Sequence, residues 1–162
     1  MNALELLTTQ HDEVEDLFDQ IEKSKSGRMT AELFMDLADK LAAHAKIEET
    51  IFYPAVMSRQ TEDLLLESAE EHLSIKRVLA DLLMLDSDDD HFDAKLAVMK
   101  EQVEHHAREE EEGELFPKVR KLLDAEELEA LGSEMLSAFE ELMGTQPRAS
   151  VPRETEAAAS LR

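Results

Sequence analysis

The stretch His44-Ala45-Lys46-Ile47-Glu48-Glu49-Thr50-Ile51-Phe52-Tyr53-Pro54 decides how this chain reads. A looser second copy follows as His106-Ala107-Arg108-Glu109-Glu110-Glu111-Glu112-Gly113-Glu114-Leu115-Phe116-Pro117. Each copy sets a Glu four residues after a His and closes on an aromatic residue and a Pro. Four residues is about one turn of α-helix, so imidazole and carboxylate point the same way. From His to Pro the second copy is one residue longer. Either the helix bulges near Gly113 or the register of the Glu is displaced by one. His105 and Glu109 share the spacing but lie out of phase with the apolar stripe of their helix, so His106 and Glu110 are the expected pair.

The 162 residues suit one domain with a real core. No long apolar run and no charged-then-apolar leader is present, so a cytoplasmic protein without a membrane partner is expected. Cysteine is absent, which excludes disulfides, thiolate zinc sites and iron–sulfur clusters. Gly and Pro number 4 each, while helix-forming residues abound, so the chain reads as helical. A net charge of −22 argues against nucleic acid, whose phosphates need Lys and Arg. Most of that charge is a solvated helix surface.

Asn2 caps a first helix, with Glu5 as its capping-box partner. The inward stripe is Leu4, Leu7, His11, Val14, Phe18 and Ile21, and Ser24 to Gly27 ends the helix. Thr30 caps a second helix with the stripe Phe34, Leu37, Leu41, His44, Glu48 and Ile51, which Pro54 ends or kinks. A third, about Thr61 to Leu85, carries Leu65, Ser68, His72, Ile75, Leu79 and Leu82. The acidic run Asp86 to Asp90 turns the chain and supplies a cap. A fourth carries Phe92, Leu96, Met99, Val103, His106 and Glu110. Asp124 and Glu127 cap a fifth, striped with Leu128, Leu131, Met135, Ala138 and Leu142 and without His. That helix packs outside the site, over its own bundle or against a second copy in a homodimer. Residues 145–162 lack apolar periodicity and read as a disordered tail. The expected fold is all-α: an up-down four-helix bundle over residues 1–144, with its metal-binding core at about 4–121 and the extra helix at about 124–143.

A lone His on an apolar face is more often a hydrogen-bonded core residue than a ligand. Here four helices each place a His on the seam, and two add a Glu one turn on. Burying four imidazoles and two carboxylates without a cation is expensive. Imidazole and carboxylate without thiolate suit iron, manganese or zinc. A Glu from each of two opposing helices can bridge two ions, with histidines in terminal positions.

Gln10-His11-Asp12, the His44 to Pro54 block, Glu71-His72 and the His105 to Pro117 block together resemble the hemerythrin-like family of HHE cation-binding domains. The resemblance covers roughly residues 4 to 121. It implies a bundle of the hemerythrin type around two iron ions, an oxo- or hydroxo-bridged non-haem di-iron centre. His11, His44, His72 and His106 would be terminal ligands, and Glu48 and Glu110 bridging carboxylates. Oxygen-carrying hemerythrins have a further His one turn after that of the third helix, where this chain has Lys76. An ammonium is a poor iron ligand, so a more open centre is expected. Glu15 is a spare carboxylate for it, and Tyr53 either donates to it or packs at the helix end.

The expected function is binding of, or reaction with, small oxidants (O2, peroxide or NO), including peroxide decomposition, in a dry pocket of Phe18, Leu41, Phe52, Leu79 and Met99. The alternative is iron binding, storage or sensing without turnover. The ending Ser160-Leu161-Arg162 resembles the close of the cargo-loading peptides that dock enzymes inside encapsulin shells. That resemblance implies an encapsulin nanocompartment as a partner in oxidative-stress defence; the plain reading is a frayed terminus.

Overall fold

The computed structural model describes residues 1–161. Helix α1 (Ala3–Lys23) starts at the expected capping box, where the Glu5 amide donates to Asn2 Oδ1 at 2.9 Å and the Asn2 amide to Glu5 Oε2 at 3.0 Å. Helix α2 (Gly27–Ile47) begins before the expected Thr30, because Ser26 Oγ accepts from the Met29 amide. It runs on through a π-helical segment, Glu48–Phe52, into the short turn Tyr53–Ala55. Helix α3 spans Glu62–Leu83 and helix α4 Phe92–Glu104. The fourth rod continues through a longer π segment, His105–Leu115, into the helix Phe116–Leu122. Helix α5 (Ala125–Met143) opens on the Asp124–Glu127 capping box. None of these helices is long and apolar enough to cross a membrane.

The seam residues of α1 and α3 are all buried, and α2 and α4 bury theirs as far as Glu48 and His106. At about 1.5–3 kcal/mol per large apolar side chain taken from water, these stripes dominate the folding energy. They form two apolar clusters. Leu4, Leu7, Ile47, Phe52, Leu65 and Phe116 anchor one, and Phe18, Leu37, Leu79, Leu82, Phe92 and Met99 the other. The His and Glu side chains lie in the layer between. Helix α5 packs on α1 and α2 of its own bundle. At Gly132 it meets the start of α1 so closely that a Cβ there would stand 2.5 Å from the Met1 carbonyl oxygen.

The expected disordered tail is corrected. Pro147–Glu154 forms a 3₁₀ helix against α2 and α3, with Val151 only 1% exposed. Arg148 holds Asp39 at 2.6 Å, and Glu154 accepts from Lys46 at 2.8 Å. Farther on, Leu161 is buried in the first apolar cluster. A segment of eight residues pinned by two buried side chains, Pro147 and Val151, and three ion pairs shows no periodicity to read. Of the shell-docking ending, Arg162 lies outside the described residues.

Candidate metal centre

One His from each helix of the bundle reaches the central layer, and His11, His44, His72 and His106 are all buried. Each ring is held from behind. His11 Nδ1 donates to Glu112 Oε2 at 2.7 Å, and His44 Nδ1 to Gln10 Oε1 at 2.6 Å. His72 Nδ1 donates to Glu49 Oε2 at 2.7 Å, and His106 Nδ1 to Glu71 Oε1 at 2.9 Å. With Nδ1 so engaged, Nε2 is the inward nitrogen of every ring, as metal-binding imidazoles are oriented.

Two carboxylates stand between these nitrogens. Glu48 Oε1 lies 3.2 Å from His44 Nε2 and 3.2 Å from His72 Nε2. Glu111 Oε1 lies 3.2 Å from His11 Nε2 and 3.5 Å from His106 Nε2. Each Glu thus reaches one His from each half of the bundle. Two groups of donor atoms result: His11, His44, Glu48 and Glu111, and Glu48, His72 and His106, each with its atoms within 4.8 Å of one another. Tyr53 is fully buried and donates its hydroxyl to Glu111 Oε2 at 2.9 Å. Its oxygen lies 3.3 Å from His72 Nε2 and 3.2 Å from His106 Nε2.

The donor set fits a pair of cations. Both oxygens of Glu48 are buried without a hydrogen-bond partner. Burial opposes ionisation of Glu48, yet the His44 ring, the neighbouring Glu111 and the His72 ring hold its carboxyl well below the usual range. Burial also opposes charge on His106, but Glu111, Glu110 and Glu71 raise it well above the ordinary value. His11 and His72 are raised against burial in the same way, by Glu111 and by Glu48 with Glu49. Burial beside Glu111 and Glu48 pushes the Tyr53 phenol well up, which keeps it a neutral donor. An anionic, buried and incompletely hydrogen-bonded layer of this kind attracts positive charge.

The structure thus brings His11, His44, Glu48, His72 and His106 together. Glu110 is a correction: Glu111 takes the inward place, with its side chain 0% exposed against 14% for Glu110. Glu110 stands behind the rings instead, 3.2 Å from His105 Nε2 and 3.8 Å from His106 Nδ1. The reason is the π segment, whose i→i+5 bonds widen the turn by a residue, as in the Phe116 amide bond to the Glu111 carbonyl. The Tyr53 amide bonds the Glu48 carbonyl in the same way. Counting back five residues from each aromatic-Pro pair gives Glu48 and Glu111; counting forward from each His does not. Pro cannot supply the next helical N–H, so each aromatic-Pro pair marks a disturbed ladder. His105 and Glu109 stay outside, paired at 2.8 Å and more than half exposed. Glu15 is also corrected: it faces Arg108, whose Nε and Nη2 each donate to it at 2.9 Å and hold its carboxyl below the usual range against burial.

Beside the histidines lies a cavity of ≈ 50 Å³. Its apolar wall is Val14, Leu41, Ile75, Leu79, Val103 and Val151. Phe18, Phe52 and Met99 are core residues that do not line it. Lys76 and Glu154 also border it, Glu154 from the 3₁₀ segment.

The family model of the hemerythrin HHE cation binding domain matches residues 2–119. The crystal structure of an HHE cation binding domain-containing protein from Mycobacterium kansasii, described as an Rv2633c homolog, superposes with a TM-score of 0.80 at 27% identity. The match covers 95% of this chain and 99% of that one. A DNA nickase of Nostoc sp. is 28% identical over 138 residues, 85% of this chain. The chain spans 39% of that relative's length.

Proposed function

The chain belongs to the hemerythrin HHE cation-binding family, and from that premise we propose that it holds two iron ions and binds or reacts with small oxidants: O2, peroxide or NO. His11 and His44 would bind one ion and His72 and His106 the other, with Glu48 and Glu111 bridging. The observation that carries this reading is Glu48, buried, without a hydrogen bond and between His44 and His72. Bound there, an iron pair supplies reversible electron exchange with an oxidant. The chain's own residues do the rest. Gln10, Glu49, Glu71 and Glu112 fix the rings. Tyr53 offers a hydroxyl proton to Glu111, and mostly apolar walls bound the cavity of ≈ 50 Å³ beside the rings.

Iron storage without turnover is the second reading. Peroxide consumption by iron-loaded protein separates the two. The first reading expects consumption that scales with bound iron and disappears when Glu48→Ala strips the metal. No consumption, and no spectral response to O2 or NO, would leave storage. DNA nicking, the activity in the Nostoc relative's name, gains nothing from a chain of net charge −22. An encapsulin shell is not part of the proposal, because Leu161 is packed into the bundle and would have to be withdrawn to dock elsewhere.

A further inference from the structure

Lys76 is the one buried lysine or arginine among the described residues, 8% exposed in an otherwise mostly apolar wall. Its ammonium donates to Glu49 Oε1 at 2.9 Å and to Glu154 Oε1 at 3.3 Å. An ammonium has three N–H bonds, so these two contacts leave a further donor on a side chain that borders the cavity. Glu49 ties Lys76 to the site, since its other oxygen holds His72. Glu154 ties Lys76 to the 3₁₀ segment.

A charged donor in an apolar wall is costly, and a neutral diatomic guest gains little from it. A small monoanion gains a charge-assisted hydrogen bond. We propose that Lys76 is a positioning residue that selects small monoanions, of the hydroperoxide or azide class, in the cavity beside the histidines. Glu154 competes for the same ammonium and so sets how strongly it acts. The inference rests on the di-iron reading above.

The rival role for Lys76 is structural: an anchor for the segment that carries Glu154. Full-length wild type, Lys76→Met and Glu154→Gln separate the two. Iron per chain is measured on each, then azide is titrated into the oxidised protein and nitric oxide into the reduced one. Lys76→Met should keep its iron, bind azide at least about tenfold more weakly, and hold nitric oxide within about threefold. Glu154→Gln should bind azide more tightly, although it loosens the anchor. It decides the matter alone if Lys76→Met does not fold. Equal losses of azide and nitric oxide affinity would overturn the inference. So would unchanged azide affinity in both variants, or iron-loaded wild type that binds no azide. Protein without iron would instead overturn the metal reading, and this inference with it.

Discussion

Glu111 and Glu110 are neighbours with opposite fates. One stands between two inward imidazole nitrogens, and the other lies outside them, against the exposed His105 and the outer nitrogen of His106. Glu111→Ala should therefore remove at least half of the bound metal, while Glu110→Ala leaves the metal content within error; elemental analysis of the two variants checks this. Tyr53→Phe should keep the metal and lower stability by about 1–3 kcal/mol in chemical unfolding, because it strips a buried carboxylate of its donor. His11, His44, Glu48, His72 and His106 lie where the apolar phase of their helices puts them, so the sequence shows them as polar interruptions of a stripe. Glu111 breaks that phase, and only the count back from Phe116-Pro117 reveals it. Glu49, Glu71 and Glu112, which orient the rings, were not legible as such. The chain has 39 acidic residues, and nothing in their types separates those behind a His from those in water.

At the scale of the element, capping boxes and stripes gave helix starts and faces because both are local. What closes over the site was not local. The 3₁₀ segment owes its place to Asp39, Lys46 and Lys76, which lie far from it in sequence. Burial would raise the Glu154 carboxyl, but hydrogen bonds from Lys46 and Ser150 and the charge of Lys76 hold it below its ordinary 4.5. A carboxyl depressed by folding stabilises above its unfolded value and loses that contribution as pH falls through the folded one. The segment should therefore be protected at neutral pH and released as pH drops below 4.5. Glu154→Gln should flatten that dependence. Hydrogen exchange over residues 147–154 reads it; equal pH dependence in both proteins would refute the ion-pair account. Helix α5 makes a second contact of this kind. Gly132→Ala would push a Cβ into the backbone of Met1 to Ala3 and should destabilise by about 1–3 kcal/mol in a denaturant titration.

The molecule as a whole is two apolar clusters with an anionic layer of imidazole and carboxylate between them. With cations bound, that layer becomes a cross-link among four helices. Loaded protein should unfold at a higher temperature than chelator-treated protein, and restoring the metal should restore the difference. Equal melting temperatures would mean that the layer is stable by itself. Counting the metal decides whether the layer holds a pair of irons. Full-length protein made with ample iron, and never exposed to an affinity-column metal, is analysed for all transition metals per chain. Close to two irons are expected. One iron would contradict the paired site; zinc, or no metal, would contradict the redox function altogether.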